Sequence, residues 1–201
     1  MRTLVLASTS IFRKSLLQKF NLPFETAKPD IDETALANES ATQLVQRLAM
    51  EKAKIVAKEF DDAVIIGSDQ VAVCDDQVLG KPGNFENAVK QLTQCSNKAV
   101  TFYTGLCVYD SASQYIETIV EPFIVKFKAL SQDQIENYIK AEQPFSCAGS
   151  FKSEGLGICL FESLSGKDPN TLIGLPLISL SDILVSFGID ILSEQSRVCK
   201  S

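Results

Sequence analysis

Apolar residues cluster in two short runs, at positions 3–7 (Thr3, Leu4, Val5, Leu6, Ala7) and 63–66 (Ala63, Val64, Ile65, Ile66). Runs of this length without alternation read as buried strands. The first is followed by a polar loop, Ser8-Thr9-Ser10, and a helix is expected over about 11–20. Over about 42–59 the residues Leu44, Val45, Leu48, Ala49, Ile55 and Val56 recur at helical spacing, which predicts an amphipathic helix with a charged outer face. Gly67, Ser68, Asp69 and Gln70 read as an interruption of the second strand before extended character resumes at 71–74, and this reading delivers Asp69 at a strand end on a sheet edge. Beyond a turn at Asp75-Asp76 come Gly80-Lys81-Pro82, a helix near 85–93, and β-rich stretches over 99–109 and 115–127. A helix near 132–141, a Gly/Ser-punctuated region over 149–157 and a last helix near 177–187 complete the pattern. Helices and strands intermingle without regular βαβ alternation. The expected fold is therefore α/β, a mixed twisted sheet with flanking helices, forming one domain over 1–201 whose two lobes surround a cleft.

Composition narrows the chemistry. With 45% hydrophobic and 22% charged residues the chain can bury a sizeable core. Its apolar runs are too short to span a bilayer, and Leu4–Ala7 is too short for a signal segment, so a cytoplasmic protein without membrane contact is expected. The six cysteines (Cys74, Cys95, Cys107, Cys147, Cys159, Cys199) show no C-x-x-C spacing and read as reduced, mostly buried thiols. The absence of histidine excludes Ser-His-Asp triads, Cys-His pairs, His-ligated zinc and imidazole bases. A formal charge of −6 argues against a nucleic-acid polymer as partner. A polyanionic substrate would need a local basic pocket or a metal.

Several groups could supply one. Ser8-Thr9-Ser10 leading into Phe12-Arg13-Lys14 places hydroxyls, free amides and cations at a helix N-terminus, where anions are favoured. The same residues also suit an ordinary N-cap and a solvated helix face. Glu33 and Asp69 are the candidate ligands for Mg²⁺ or Mn²⁺, which needs only one or two carboxylates when phosphates complete its shell. The alternative for Asp32-Glu33 is an exposed loop. Lys52 and Lys81 suit phosphate contacts, although helix and turn lysines are usually solvated. Gly80-Lys81-Pro82 is not a Walker A loop, because Asp75 and Pro82 stand where Gly and Ser or Thr are required. Residues 148–155, with Phe151, Lys152 and Glu154, could line a base pocket or form a plain surface turn.

Taken in order, Ser8-Thr9-Ser10 with Arg13, Asp32-Glu33-Thr34, Ser68-Asp69-Gln70, Gly80-Lys81-Pro82, Thr104-Gly105, Ala148-Gly149 and Gly174-Leu175-Pro176-Leu177 resemble the Maf family along nearly the whole chain. The resemblance implies a cytoplasmic nucleoside triphosphate pyrophosphatase with a two-lobed fold similar to inosine triphosphatases, a divalent metal cofactor, and a homodimer as a family expectation. It further implies that Asp69 is the proton acceptor and that Ser8, Arg13, Glu33, Lys52 and Lys81 handle phosphate and metal. Ile11 and Lys14 depart from the family's frequent Pro and Arg.

Within the family, Ser68-Asp69-Gln70, residues 151–155 and Asp168-Pro169-Asn170-Thr171 look most like the subgroup acting on 7-methyl-GTP, with Phe12, Gln70 and Glu154 at the specificity positions. A cationic 7-methylguanine suits stacking on Phe12 and donation to Glu154. Phe12 stands where that subgroup often has Trp, which reduces the stacking area. The implied task is removal of modified nucleotides from the pool. Competing readings are a dTTP/UTP pyrophosphatase, a nonenzymatic regulator of septum formation, and an oligomerisation module.

Overall fold

The computed structural model describes residues 2–198, so Cys199 lies outside the described residues. In chain order it contains β1 (Thr3–Ala7), α1 (Ile11–Gln18), β2 (Glu25–Ala27), α2 (Ala41–Ala57), β3 (Ala63–Cys74), β4 (Gln77–Leu79), α3 (Phe85–Cys95), β5 (Ala99–Asp110), β6 (Ile116–Phe127), α4 (Gln132–Glu142), β7 (Phe161–Gly166), α5 (Pro169–Ile173), α6 (Leu177–Ser186) and α7 (Ile191–Val198). The strands form a seven-stranded sheet ordered β2-β1-β3-β5-β6-β7, with β4 paired to β3. β1 runs parallel to both β2 and β3, whereas β4 and β7 pair antiparallel with β3 and β6. The expected mixed α/β sheet with flanking helices is borne out.

One expectation is overturned. Residues 67–70 do not interrupt a strand; β3 is continuous for 12 residues, and Asp69 sits within it, two residues past the last β3 position paired to β1. The physical reason is the role of Gly67. A Cβ there would collide with the Ala49 carbonyl of α2 and come within 2.9 Å of the Ala53 amide. Gly67 is a place where a helix backbone touches a strand, not a strand breaker. Gly105 on β5 does the same against the Val45 carbonyl. The short β2, β4 and α5 escape a periodicity reading because so few residues display no period. β7 escapes because only Phe161 of its six residues is buried. A further helix, α7, follows the one expected to be last.

The chain divides into two compact units, one comprising Met1–Gln70, Thr104–Glu121 and Lys167–Ser201, the other Val71–Tyr103 and Pro122–Gly166. In the first, the sheet is buried on both faces. Leu4, Leu6, Val64, Ile66, Leu106 and Val108 pack with Leu16 and Leu17 of α1 and with Leu180, Ile183 and Leu184 of α6. Val5, Ala7, Ala63, Ile65 and Cys107 face Ala49, Ala53 and Val56 of α2. The small alanines are the counterpart of the strand glycines and let α2 lie close. In the second unit, Phe151 packs edge-on against Phe102, Phe127 and Phe161 at centroid distances of 5.3, 5.5 and 4.9 Å.

Helix starts follow local chemistry. Ser40 and Ser131 form capping boxes with Gln43 and Gln134, and Ser10 accepts from the Arg13 amide. The cysteines in the described residues are free thiols, with Cys74, Cys95 and Cys107 buried. Burial pushes the Cys107 thiol up to about 11, as suits a packing residue. No helix among the described residues is long and apolar enough to cross a membrane.

Two outcomes are expected. Gly67→Ala and Gly105→Ala should each cost about 1–3 kcal/mol or more by overpacking, because the obstructing atoms are backbone; a thermal midpoint lowered by several degrees checks this. Arg2 and Asp110 form a two-bond pair at 2.8 and 2.7 Å, and this guanidinium holds the Asp110 carboxyl well below the usual range. Because the folded value is the depressed one, the pair's stabilisation is complete above the unfolded value of about 3.9 and is lost as pH falls below it toward the folded value. Urea unfolding of Asp110→Asn should show a deficit at pH 7 that narrows once the pH drops under about 4.

Candidate active site

The register of β1 on β3 pairs Ala7 with Gly67, so Ser8 leaves the carboxyl end of β1 beside Ser68 while β3 continues past it. Open α/β sheets place ligands at such strand ends. The backbone turns at once into α1. Ser8 is buried and its Oγ accepts from the Ser10 amide, and Ser10 in turn caps the helix. This leaves a hydroxyl-rich helix entry at the end of a buried strand.

Lys52 belongs to the buried stripe of α2 formed by Leu44, Val45, Leu48, Ala49, Lys52, Ala53 and Val56. The contact of α2 with Gly67 brings this stripe against β3, and Lys52 meets Asp69 two residues further along the strand. Its Nζ lies 2.7 Å from Asp69 Oδ1 and 2.5 Å from Glu33 Oε1. The Lys52 and Asp69 side chains are 6% and 12% exposed, whereas Glu33 is 58% exposed. One ammonium thus gathers two carboxylates, one from a rigid strand and one from the segment between β2 and α2.

Arg13, in the first turn of α1, donates from Nε to the Gly174 carbonyl at 2.9 Å, and Ser68 Oγ donates to the same oxygen at 2.9 Å. Desolvation lowers the Arg13 pKa, against the opposing pull of Asp69 and Glu33; an arginine remains charged regardless. Gly174 caps α5 with φ 117°, a left-handed conformation open to glycine, and a Cβ there would approach Arg13 Nε to 3.3 Å.

Gln70 follows on β3. Its amide nitrogen donates to Thr104 Oγ1 at 2.8 Å and to the carbonyls of Thr171 and Leu172 at 2.7 and 3.3 Å. Two carbonyl acceptors fix which end carries the NH₂, leaving the side-chain oxygen as the end that a ligand donor could use. Phe12 is half-buried beside Arg13 on α1.

Ser8, Phe12, Arg13, Glu33, Lys52, Asp69 and Gln70 all fall in the first unit, whereas Lys81 and Glu154 belong to the second, both exposed. In that unit Lys152 donates to the Glu142 carbonyl at 2.9 Å, and the Glu142 carboxylate accepts from the Leu156 amide at 2.9 Å, bracketing Glu154. Phe151 does not line a base pocket: it is buried in the aromatic core, because its ring packs among three others. Sequence reasoning missed the supporting roles of Ser68, Thr104, Thr171 and Gly174. All four stood in recognised motifs, but hydrogen bonds to carbonyls leave no signature in residue type.

The donor set suits a hard divalent ion. Among the described residues no group of three or more acidic or thiol side chains could hold a metal alone, yet Mg²⁺ commonly takes one or two carboxylates and fills its shell with phosphate and water. Glu33 and Asp69 meet that requirement. The cluster of Arg13, Lys52, Glu33 and Asp69 is also formally neutral, its two cations matched by two carboxylates.

The sequence matches the Maf-like protein family model over residues 3–187. A 7-methyl-GTP pyrophosphatase of Colwellia psychrerythraea (strain 34H / ATCC BAA-681) is 63% identical over 198 residues, covering 98% of this chain and 99% of that protein. A 7-methyl-GTP pyrophosphatase of Pseudoalteromonas translucida (strain TAC 125) is 62% identical over 194 residues and 96% of each chain. Among solved structures, a HAM1 protein from Coxiella burnetii is similar with a TM-score of 0.51 at 14% identity, over 92% of this chain and 100% of that one, which is a likeness of fold. The ordered motifs, the family match and these relatives agree, and the chain belongs to the Maf family.

Proposed function

We propose that this protein is a divalent-metal-dependent nucleoside triphosphate pyrophosphatase that hydrolyses 7-methyl-GTP to 7-methyl-GMP and pyrophosphate, removing a modified nucleotide from the cytoplasmic pool. The observation that carries the reaction class is the convergence of Glu33 and Asp69 on Lys52 Nζ beside the α1 entry, at 2.5 and 2.7 Å. The choice of base rests on the 63% and 62% identical relatives, whose names give that substrate.

Glu33 and Asp69 would hold the ion, which when bound supplies charge screening and lowers the pKa of water. The Ser8 to Ser10 turn and the α1 amides accept the phosphate chain, and Arg13 and Lys52 stabilise charge on the departing pyrophosphate, while the family resemblance gives Lys81 a part in handling phosphate. Asp69 orients the attacking water and takes its proton. The water oxygen bonds to the α phosphorus while the bond from that phosphorus to the α–β bridging oxygen breaks, and pyrophosphate leaves with the electron pair. No step needs histidine, in keeping with a chain that has none.

For the base, Phe12 offers a face for a cationic ring. The Gln70 oxygen is an acceptor matched to guanine's N–H edge, and the family resemblance names the Glu154 carboxylate as a further acceptor for specificity. UTP presents one ring N–H and no exocyclic amine, so it satisfies fewer of them.

Pyrophosphate release with Mg²⁺ or Mn²⁺ from 7-methyl-GTP, GTP, dTTP, UTP and CTP tests the reading. Preference for 7-methyl-GTP is expected; preference for dTTP or UTP would keep the reaction and overturn the base assignment, and no metal-dependent release would sink the reaction itself. Asp69→Asn should lower kcat by about 10²–10⁴-fold with folding retained. Glu154→Gln should reduce the 7-methyl-GTP to UTP ratio of kcat/KM by roughly tenfold, and an unchanged ratio would remove Glu154 from the specificity set.

A further inference from the structure

Glu33, one of the two carboxylates on Lys52, lies in a segment of residues 28–40 that has no helix or strand and is exposed over most of its length. Leu36 in this segment is 61% exposed. The segment and one side of α2 line an open hollow of about 570 Å³, with Ile31, Thr34, Leu36, Ile55 and Lys58 among its walls. Apolar packing therefore contributes little to its position, and a segment of this kind would ordinarily be free to move.

Arg47, on α2, ties it down. Its Nε and Nη2 donate to the two oxygens of Glu39 at 2.7 and 2.8 Å, Nη2 also donates to the Thr34 carbonyl at 3.1 Å, and Nη1 donates to Glu51 on the next turn at 3.2 Å. Glu39 passes the restraint back into the loop by accepting from the Leu36 amide at 2.9 Å. Thr34 is held from its other side by Asp32, whose Oδ1 accepts the Thr34 amide at 2.9 Å. The strength of the Arg47 pairing shows in Glu39, whose carboxyl is held down to about 2, first by Arg47 and then by the Leu36 amide. The planar guanidinium is the group that can serve a bidentate carboxylate and a carbonyl at once; an ammonium cannot.

We propose that Arg47 is a positioning residue which, through the Thr34 carbonyl and Glu39, sets the Glu33 carboxylate beside Lys52 and thereby tunes affinity for the divalent ion. This rests on the proposed metal-dependent reading. Arg47 sits one turn before Glu51 and Lys52 on the same helix, so the clamp and the cation that Glu33 meets share one rigid element. Arg47 contacts Glu39, the Thr34 carbonyl and Glu51, and it acts by holding the loop against α2.

The test measures Mn²⁺ binding by paramagnetic resonance, in the presence of the α,β-methylene analogue of 7-methyl-GTP, for wild type, Arg47→Met, Arg47→Lys, Glu33→Gln and the Arg47→Met/Glu33→Gln double variant. Hydrogen exchange of amides 31–39 and thermal midpoints are measured alongside. Arg47→Met should weaken Mn²⁺ binding by about 10-fold, within the range for residues that orient a metal ligand, with faster exchange over 31–39. Arg47→Lys should fall between it and wild type, and the double variant should be no weaker than Glu33→Gln alone. If Arg47→Met binds Mn²⁺ as wild type does while only its thermal midpoint falls, Arg47 is a stability residue and the proposal is overturned. If wild type itself binds no Mn²⁺, the metal-dependent reading falls and takes this proposal with it.

Discussion

The arrangement of the first unit turns on a buried ammonium. Removing Lys52 from water costs several kcal/mol unless opposite charge and hydrogen bonds replace its hydration. Asp69 and Glu33 provide that replacement, and supplying it constrains everything nearby. Asp69 must come from a central strand, α2 must lie close enough for a lysine in its apolar stripe to reach that strand, and β3 and β5 must carry glycine where the α2 backbone passes over them. A leucine at position 52 would pack in the same stripe without any of these demands. That the chain keeps a lysine there, at a desolvation cost, fits a site whose charge is used.

Much of the fold could be read from residue pattern because the buried strands and α2 are long enough for their periods to show. The same reading went astray at residues 67–70, where Gly-Ser-Asp-Gln carries the composition of a turn. Local propensity gave way to packing: β3 runs on without a break, and the missing Cβ of Gly67 is filled by a helix carbonyl. Lys52 was legible in principle, since it stands four residues after Leu48 and four before Val56 on the stripe that the apolar positions define. Lysine's usual solvation argued the other way, and composition had no means to reveal the two carboxylates waiting for it.

The supporting residues were less visible for a different reason. Gly174 and Thr171 contribute backbone carbonyls to Arg13 and Gln70, and a carbonyl looks the same whichever residue bears it. Phe151 shows the opposite failure. An aromatic among Gly and Ser suited either the lining of a base pocket or a plain surface turn, but long-range contacts with Phe102, Phe127 and Phe161 draw it into the core. The Glu154 loop is then held by the Lys152 ammonium on the Glu142 carbonyl and by the Leu156 amide on the Glu142 carboxylate, so the aromatic anchors the segment while the Glu154 carboxylate stays exposed.

The cluster also divides its labour by rigidity. Lys52 and Asp69 sit on a helix and a strand pressed together by strand glycines, whereas Glu33 sits on an exposed segment that lines an open hollow. Of the four charges, Glu33 is the one carried by a segment without helix or strand. With two cations and two carboxylates the cluster is balanced, and an arriving ion would disturb that balance least by drawing on the carboxylate already half in solvent. On the proposed reading, the exposure of Glu33 and its clamp at Arg47 are complementary: the first lets the carboxylate reach an ion, and the second limits where it can go.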